Sequence, residues 1–443
     1  MGIWRIVVYL LLPYALGNLA WRGLRYAAYW HRWPERFGFV APLFPRRTIW
    51  VHAVSVGEVR SAAPLVAALV ERYPAHKVVV TTMTPTGSRQ VRELFGDRVA
   101  HCYVPFDFPD AVRRFFDRVR PELAVVAETE FWPNLFAECR RRRIPLLLVN
   151  GRVSQASLRG YLRVPAITRT MLACADLLCA QTSVDAQRLR NLGAPAELVH
   201  VTGNLKFDVG LPAELLADAH ALRGLWGRQR PVWIAASTHP GEERKVLAAF
   251  ARLRERYADL LLVLVPRHPE RFAAVARLCR RQSLRVALRS GTSGALPPAT
   301  QVLVGDTMGE LQRLYAAADV AFIGGSLVAH GGQNLLEACA VNVPVIFGPH
   351  MFHFEEISAM ALERGAARQV LDVPELIAAV ALYLDQPELK RAAGAAAHTL
   401  VTDNRGALAR TLEHIESTLL PRGWAEVGAG RVDATVTIVS NRS

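Results

Sequence analysis

Short apolar runs alternate with amphipathic segments along most of the chain, and this alternation restricts the fold more than any other feature of the sequence. The runs are continuously apolar, which is typical of strands that helices cover on both faces. The segments between them have helical periodicity and are long enough to cross from one parallel strand to the next. We therefore predict an α/β chain built on doubly wound parallel sheets.

The predicted strands fall into two series, separated by a predicted linker at 211–230. The first series is 49–54, 78–82, 123–126, 145–149, 177–180 and 200–202. The second series is 232–236, 260–265, 301–304, 320–323 and 343–347. Each series is sufficient for one Rossmann-like domain, so the sequence predicts domains at 34–210 and 211–423. The tail at 424–443 has no helical periodicity and is predicted to be disordered.

The composition narrows the class of protein. Of 443 residues, 51% are hydrophobic and 21% are charged, which excludes a disordered chain and, without repeated long apolar spans, a polytopic membrane protein. The net charge of +14 indicates an acidic partner. The basic groups do not alternate with exposed aromatic residues as a nucleic-acid strand requires, so we predict binding to anionic membrane lipid and no nucleic acid. The 6 cysteines are scattered and favour a reducing cytosol.

The N-terminal segment 1–33 is predicted to be a membrane anchor. Residues 6–20 are nearly free of charge, and arginines and aromatic residues follow them. A helix of about 18 residues is roughly 27 Å long, slightly less than the roughly 30 Å hydrocarbon core, and Pro13 lies near its middle. A spanning helix and an interfacial helix therefore both fit, whereas a cleaved signal peptide fits less well because no small-residue cleavage site precedes the basic run. The arginines place the body of the protein on the cytoplasmic side.

The segment 320–340 is predicted to be a nucleotide-binding centre. A buried strand at 320–323 is followed by two glycine pairs and by a helix that begins near Asn334. Backbone N–H groups at such a helix start suit a phosphate, and Glu337 could accept hydrogen bonds from ribose hydroxyls. The alternative is an ordinary turn between a strand and a helix, because neither a GxGxxG nor a GxxxxGK pattern is present.

The loops after the strands of the first domain contain candidate catalytic groups, because doubly wound sheets bind ligands at the carboxyl ends of their strands. These loops are SVGE (55–58), ETEFWPN (128–134) and GNLKFD (203–208). Glu58 is a candidate proton acceptor, with a helix N-terminal carboxylate as the alternative interpretation. The apolar residues that follow Glu128 and Glu130 would raise a carboxylate pKa toward values useful for proton transfer. Lys206 could balance these carboxylates or contact a phosphate, or it is a solvated loop lysine.

The loops of the second domain are also polar. They are STHPGE (237–242), PRHPER (266–271), GDTMGEL (305–311) and GPH (348–350). Arg267 is a candidate phosphate ligand, and the turn at 308–310 offers backbone groups to a base. His239, His268 and His350 lie in these loops, but their spacing is not that of a metal site. No Asp-x-Asp pattern is present to hold a divalent ion on a nucleotide sugar, so we predict that no metal takes part.

Several longer motifs follow one another in a specific order. They are HAVSVGE (52–58), TTMTPTGS (81–88), ETEFWPNL (128–135), VTGNLKFD (201–208), STHPGEE (237–243), LVPRHPERF (264–272), VGDTMGEL (304–311) and GGSLV followed by GGQNLLE (324–337). Together they resemble the bacterial 3-deoxy-D-manno-octulosonic acid (Kdo) transferases, glycosyltransferase family 30, from about residue 30 to 420. The resemblance implies a GT-B fold, in which two Rossmann-like domains face a cleft.

The activity that the resemblance implies is transfer of Kdo from CMP-Kdo to a lipid A precursor, lipid IVA, in lipopolysaccharide core biosynthesis. The family acts on the cytoplasmic face of the cell inner membrane and needs no metal or other cofactor for the transfer. An acceptor hydroxyl must lose its proton as it attacks the anomeric carbon, while CMP leaves from the opposite face. A single inverting displacement of this kind needs one base and a stabilised phosphate.

The resemblance also assigns roles to individual residues. Glu58 matches the family's proton acceptor, and Glu128 and Lys206 match residues assigned to transition-state stabilisation. The positions that match the family's CMP contacts are Pro266, Arg267, Met308, Gly309, Glu310, Asn334, Leu335, Leu336 and Glu337. Gln333 stands where the family usually has a histidine, and a glutamine there keeps a donor and an acceptor but cannot carry a proton.

Two other functions stay open from the sequence. A different GT-B glycosyltransferase, which uses a UDP-sugar, would differ in the nucleotide that the second domain binds. A non-catalytic membrane-associated scaffold would give no reason for Glu58, Glu128 and Lys206 to follow strands of one sheet.

Overall fold

The computed structural model describes residues 8–10, 12–43 and 47–419. The chain forms two compact units, and the first unit ends at Asp208 but resumes at Arg405. The second unit is Val209–Asn404. Each unit contains one seven-stranded sheet in which every pair of neighbouring strands is parallel. The predicted pair of doubly wound parallel sheets is therefore confirmed.

The sheet of the first unit winds outward in both directions from its centre. Its strands are β1 (Arg47–His52), β2 (His76–Thr82), β3 (Ala100–Tyr103), β4 (Pro121–Ala127), β5 (Leu146–Gly151), β6 (Leu177–Ala180) and β7 (Val199–Val201). Their order across the sheet is β3-β2-β1-β4-β5-β6-β7. The direction of winding changes between β1 and β4, where Trp50 is paired with Ala124. This change of direction opens a crevice at the carboxyl ends of the two strands.

Helices cover both faces of this sheet. The helices of the first unit before Asn204 are α1 (Leu12–Arg25), α2 (Val56–Arg72), α3 (Pro85–Phe95), α4 (Pro109–Val119), α5 (Pro133–Arg142), α6 (Gln155–Tyr161), α7 (Pro165–Leu172) and α8 (Ser183–Asn191). One face buries Trp50 with Phe115 and Phe116 of α4, and the other buries Ile49 and Val51 beneath α2. Because successive side chains of β1 point to opposite faces, both sides of the strand must be apolar, which explains its continuous apolar run.

The second unit repeats this architecture. Its strands are β8 (Val232–Thr238), β9 (Leu261–Pro266), β10 (Val286–Leu288), β11 (Val302–Val304), β12 (Val320–Ile323), β13 (Val345–Phe347) and β14 (Ala367–Gln369), in the order β10-β11-β9-β8-β12-β13-β14. Its helices are α9 (Leu215–Trp226), α10 (Glu242–Arg256), α11 (Phe272–Arg281), α12 (Leu311–Ala316), α13 (Leu336–Cys339), α14 (Glu355–Glu363), α15 (Val373–Asp385) and α16 (Pro387–Asn404). Here the direction of winding changes between β8 and β12.

The sequence predicted every interior strand and missed three strands at sheet edges. The missed strands are β3, β10 and β14, and each lies at the end of its sheet. Their side chains are only partly buried, β3 and β14 contain polar residues, and the apolar run of β10 is only three residues long. The predicted linker at 211–230 is also wrong in part, because α9 lies within it and buries Leu215 and Trp226.

The end of the described chain belongs to the first unit, whereas the predicted boundaries kept it in the second. Helix α17 (Ala407–Leu419) buries Leu412 and Ile415 in the same apolar core as α2. Asp208 fixes the start of this helix, because its carboxylate accepts hydrogen bonds from the N–H groups of Gly406 and Leu408, both at 2.7 Å. The predicted tail at 424–443 lies outside the described residues.

Within the described part of the chain, no helix combines the length and the apolar character needed to cross a bilayer. Helix α1 is 14 residues long. The predicted anchor at 1–33 begins outside the described residues.

Candidate active site

The change of winding direction in the first unit brings two predicted residues together. Glu58 lies in the first turn of α2, just after β1, and Glu128 directly follows β4. Since β1 and β4 are neighbouring parallel strands, their carboxyl ends lie side by side. The hydroxyl of Ser61 joins the two positions, with its oxygen 3.1 Å from the carbonyl oxygen of Glu58 and 3.4 Å from a carboxylate oxygen of Glu128.

Glu58 is held in place by the cap of its own helix. Ser55 is the N-cap of α2, and its hydroxyl accepts a hydrogen bond from the Glu58 N–H at 3.3 Å. The Glu58 carboxylate in turn accepts bonds from the Ser55 hydroxyl at 2.8 Å and the Val54 N–H at 2.7 Å. This is a variant of the capping box, in which cap and carboxylate hold each other. The alternative interpretation of Glu58 as a helix-capping carboxylate is therefore structurally correct, and it leaves a catalytic role possible because each carboxylate oxygen retains acceptor capacity.

The surroundings of Glu58 favour its protonated form more than water does. Its side chain is buried, with 8% of the residue surface exposed. Burial, followed by the negative charge of Glu130, raises the pKa of Glu58 to about 7. The hydrogen bond from Ser55 lowers this pKa, whereas the Glu128 carboxylate raises it. A carboxyl group with a pKa near neutrality can both take up and release a proton at physiological pH.

Glu128 has an unusual backbone conformation. Its φ angle is +56°, in the left-handed region that a residue with a side chain seldom occupies. Its N–H donates to the carbonyl of Val149 on β5 at 2.9 Å, which holds the backbone in this conformation. The chain thereby leaves β4 at an angle that brings the carboxylate back toward Ser61 of α2. Such backbone strain concentrates at functional sites.

Glu130 is a site residue that the sequence analysis noted but did not select. Its carboxylate accepts a hydrogen bond from the Trp132 indole N–H at 2.8 Å. Burial raises the pKa of Glu130, as the apolar residues in this loop predicted for a carboxylate there. After burial, the negative charge of Glu130 is the largest cause of the raised pKa of Glu58. The signal that could have identified it is the spacing of the ETE motif, which places two carboxylates at one strand end.

Lys206 lies in a short 3-10 turn, Leu205–Phe207, that packs against α2. Asn204 caps this turn by accepting the Lys206 N–H at 3.0 Å. Leu205 is fully buried in the same core as Val59 of α2, so the backbone of the turn is fixed beside the helix that carries Glu58. All three catalytic candidates of this unit, Glu58, Glu128 and Lys206, therefore lie on or beside α2.

In the second unit, three amides of the glycine-rich loop bind a carboxylate of the protein itself. The N–H groups of Gly325, Ser326 and Leu327 converge, at 2.7, 3.1 and 3.0 Å, on the carboxylate of Glu242 at the start of α10. The His239 N–H also donates to this carboxylate, at 3.2 Å. These three amides therefore bind the protein's own carboxylate, whereas a phosphate at the helix start near Asn334 stays a prediction.

The predicted nucleotide contacts fall on loops at the carboxyl ends of the strands of the second sheet. Pro266 ends β9, and the N–H of Arg267 donates to the carbonyl of Thr238 at the end of β8. The turn at 308–310 leads into α12, and α12 packs against the short helix α13 that begins at Leu336, two residues later than predicted. The positions thus lie on loops that follow β9, β11 and β12, and the packing of α12 on α13 brings the last two of these loops together.

These positions differ in what they can offer a ligand. Met308 is 61% exposed, whereas the side chains of Leu335 and Leu336 are fully buried and leave only their backbone groups for contact. The Glu310 carboxylate already accepts hydrogen bonds from Arg289 and from Thr307. The residues therefore suit a ligand held by backbone groups and by a few side chains.

A histidine cluster lies beside this loop. His239 stacks on His330 with ring centres 4.3 Å apart, and its Nε2 lies 3.2 Å from the side-chain nitrogen of Gln333. Burial, followed by the charges of His330 and His268, lowers the pKa of His239 to about 4. His239 is therefore neutral at physiological pH, which suits a glutamine neighbour. Among the described residues, no group of His, Cys, Asp or Glu side chains is arranged to hold a metal ion.

The N-terminal part of the first unit exposes apolar and aromatic side chains on its surface. Helix α1 and the turns that follow it expose Trp21, Leu24, Tyr26 and Trp30. Leu24 is 80% exposed. We call these four residues the N-terminal aromatic surface. Arg89 donates a hydrogen bond to the Tyr26 hydroxyl at 2.7 Å, so a basic group lies at the edge of this surface.

Comparison with known proteins places the chain among glycosyl-transferring enzymes. Residues 31–209 match the family described as 3-deoxy-D-manno-octulosonic-acid transferase (kdotransferase). The 3-deoxy-D-manno-octulosonic acid transferase of Haemophilus influenzae is 42% identical over 91% of this chain and 94% of that protein. The protein of the same name from Bordetella pertussis is 40% identical over 93% of this chain and 99% of that protein.

A solved structure supports the fold. The UDP-GlcNAc 2-epimerase of Neisseria meningitidis, bound to UDP-GlcNAc, superposes with a TM-score of 0.51, covering 84% of this chain and 100% of that one, at 14% identity. At that identity the similarity concerns the two-domain α/β architecture alone.

Proposed function

This chain belongs to the 3-deoxy-D-manno-octulosonic acid transferase family of glycosyltransferases, and from that membership we propose that it transfers Kdo from CMP-Kdo to a lipid A precursor, lipid IVA. The product would enter lipopolysaccharide core biosynthesis. The observation that carries the proposal is the position of Glu58, which is buried, has a pKa raised to about 7 and lies at the point where the first sheet changes direction.

Glu58 is the proposed general base. The acceptor hydroxyl attacks the anomeric carbon of Kdo and forms the new C–O bond, while the bond from that carbon to the phosphate oxygen of CMP breaks. The hydroxyl proton passes to the Glu58 carboxylate, and the electron pair of the broken bond leaves with CMP. Attack from the face opposite CMP inverts the anomeric centre. The bonds from Ser55 and Val54 hold the base in one orientation throughout.

Glu128 and Lys206 are the proposed stabilising residues. Positive charge develops on the sugar ring as CMP departs, and a carboxylate such as Glu128 stabilises that charge. Lys206 would offset negative charge on the same side of the sheet. The fixed backbones of both residues support this assignment, because stabilisation of a transition state depends on groups that are already in position.

The proposed donor site lies in the second unit. Arg267 would pair with the phosphate of CMP, and the turn at 308–310 and the segment 334–337 would contact the rest of the nucleotide. The loops that carry these residues all lie at the carboxyl ends of strands in the second sheet, which supports the assignment. We propose that the transfer needs no metal, since arginine supplies the positive charge.

We also propose that the protein acts at the cytoplasmic face of the cell inner membrane. The N-terminal aromatic surface, together with the net charge of +14, would bind anionic lipid as an interfacial helix does. An enzyme whose acceptor is a phosphorylated lipid benefits from residence at that surface.

The test is the mass of the product. Purified protein is incubated with CMP-Kdo and a tetra-acylated lipid A precursor, and the lipid is examined by mass spectrometry. We expect a mass increase equal to one or more Kdo residues. Parallel incubations with UDP-sugars decide between this donor and the alternative one. An unchanged lipid with CMP-Kdo, together with transfer from a UDP-sugar, would contradict the proposal.

A further inference from the structure

We propose that Glu242 is a positioning residue for the donor site, whose buried carboxylate sets the conformation of the loop at 324–337. This inference rests on the proposed function, since it takes CMP-Kdo as the ligand of that loop. Glu242 lies on α10, yet its partners Gly325, Ser326 and Leu327 follow β12, more than eighty residues away in sequence.

The geometry requires a carboxylate at this position. Four N–H donors converge on the Glu242 side chain, which is 0% exposed, so water cannot replace it. Successive amides that point to one place form a concave site for an anion. A glutamine offers one oxygen and turns an NH2 group toward N–H donors, so at least one of these buried donors would lose its partner.

The loop that Glu242 holds leads directly to the proposed donor contacts. Gly332 donates its N–H to the Gly325 carbonyl at 2.9 Å, which closes the loop. Gln333 then contacts His239, whose own N–H is bound by Glu242. The backbone that precedes Asn334 is therefore connected to the Glu242 carboxylate at both ends. A shift of this carboxylate would displace the segment 334–337.

The negative charge of Glu242 has a second consequence. It fills the amide site that would otherwise attract the phosphate of the donor, so the phosphate is directed to Arg267 at the end of β9. Glu242 thus acts on the ligand through the loop and does not contact it.

The experiment compares Glu242→Gln and Glu242→Asp with Asp319→Asn, a matched control. Asp319 is a partly buried carboxylate at this sheet that accepts the Val232 N–H at 2.8 Å and pairs with Arg223 and Lys390, but it lies before β12, at the opposite strand end. We measure melting temperature, hydrogen exchange of the 324–337 segment, CMP affinity, and the kcat and KM of transfer from CMP-Kdo.

We expect Glu242→Gln to speed exchange in the loop and to raise the KM for CMP-Kdo by about tenfold or more, with a smaller change in kcat. Glu242→Asp keeps the charge and should lie between this variant and the wild type. Asp319→Asn should lower the melting temperature but leave the KM unchanged. If Glu242→Gln does not fold, the KM and the loop exchange of the Glu242→Asp variant test the inference in its place. The inference would be overturned if the Glu242 variants had the same KM and the same loop exchange rates as Asp319→Asn. A wild type that neither binds CMP nor uses CMP-Kdo would instead overturn the proposed function.

Discussion

Glu58 and Glu128 share one hydroxyl group, since Ser61 lies 3.1 Å from the carbonyl oxygen of Glu58 and 3.4 Å from the carboxylate of Glu128. The two acids follow the neighbouring strands β1 and β4. Burial, followed by the charges of Glu130 and Glu128, raises the pKa of Glu58 to about 7 and favours its protonation near neutral pH. The predictions for the first unit follow from this arrangement.

Glu58→Gln should abolish most transfer while leaving CMP binding intact. The amide can still accept from Val54 and contact Ser55, but it cannot take a proton at neutral pH. A general base contributes a rate factor of about 10² to 10⁴, so we expect a loss of that size. Single-turnover kinetics measure the rate of transfer, and calorimetry on the same preparation measures the affinity for CMP.

A matched control separates this catalytic role from helix capping. Asp185 occupies the equivalent position in α8, where its carboxylate accepts from the Thr182 cap at 2.6 Å and from the Val153 N–H at 2.9 Å. Asp185→Asn should cost about 0.5 to 2 kcal/mol of stability and leave transfer normal. Near-normal turnover of Glu58→Gln would show that Glu58 only caps its helix.

The rate of transfer should depend on pH through Glu58. Because the base must be ionised, kcat/KM should rise with pH and level off above the pKa of about 7. The charge of Glu130 raises this pKa, so Glu130→Gln should move the inflection to lower pH. A profile measured from about pH 5 to about pH 9 checks both points. An inflection that Glu130→Gln leaves in place would exclude the proposed coupling.

The stability of the first unit should change with pH in the opposite direction. The folded pKa of Glu58 is raised above its ordinary value of 4.5 to about 7, so the folded state retains a proton that the unfolded state has lost between these values. The contribution of Glu58 to stability therefore falls as pH rises through this window and stays low above it. Glu58→Gln should remove this part of the pH dependence. Urea unfolding at several pH values measures it, and identical curves for the two proteins would contradict the raised pKa.

Arg267→Ala should weaken CMP binding by about 1.5 to 3 kcal/mol, because a charge-assisted hydrogen bond to phosphate would be lost. The fold should change little, since the Arg267 backbone bond to Thr238 remains. Arg277→Ala, on the exposed side of α11, is the control and should bind CMP normally. Unaltered affinity of the Arg267 variant by calorimetry would place the phosphate elsewhere.

Leu24→Glu should weaken binding to vesicles that contain anionic lipid, because it places a negative charge in the N-terminal aromatic surface. Leu24 is largely exposed, so the variant should fold normally. Leu216→Glu makes the same change at an exposed leucine of the second unit and should bind vesicles like the wild type. Cosedimentation measures both, and equal binding of the two variants would show that lipid binds at another surface.

The interior strands of the two parallel sheets could be predicted from local sequence pattern. A strand buried on both faces must be apolar at every position, so interior strands such as Val320–Ile323 are visible without a structure. Their carboxyl ends then identify the loops that carry Glu58, Glu128 and Arg267. The edge strand Ala367–Gln369 has two exposed residues and no such pattern, so its place depends on pairing with β13.

Contacts between distant segments were decided only by the tertiary structure. The glycine pairs predicted a bend with several N–H groups facing one loop, and the left-handed φ angles of Gly325, Gly331 and Gly332 confirm the bend. The anion that those amides bind is the carboxylate of Glu242, which lies on α10 in a distant part of the chain. Likewise, α17 belongs to the first unit because Asp208 binds the N–H groups at its start and its apolar side chains pack in the core of that unit. Sequence pattern determines which side chains must be buried and where the chain turns, because those depend on neighbouring residues. The partner of a buried donor or charge depends on which distant segments meet, and only the packed fold determines that.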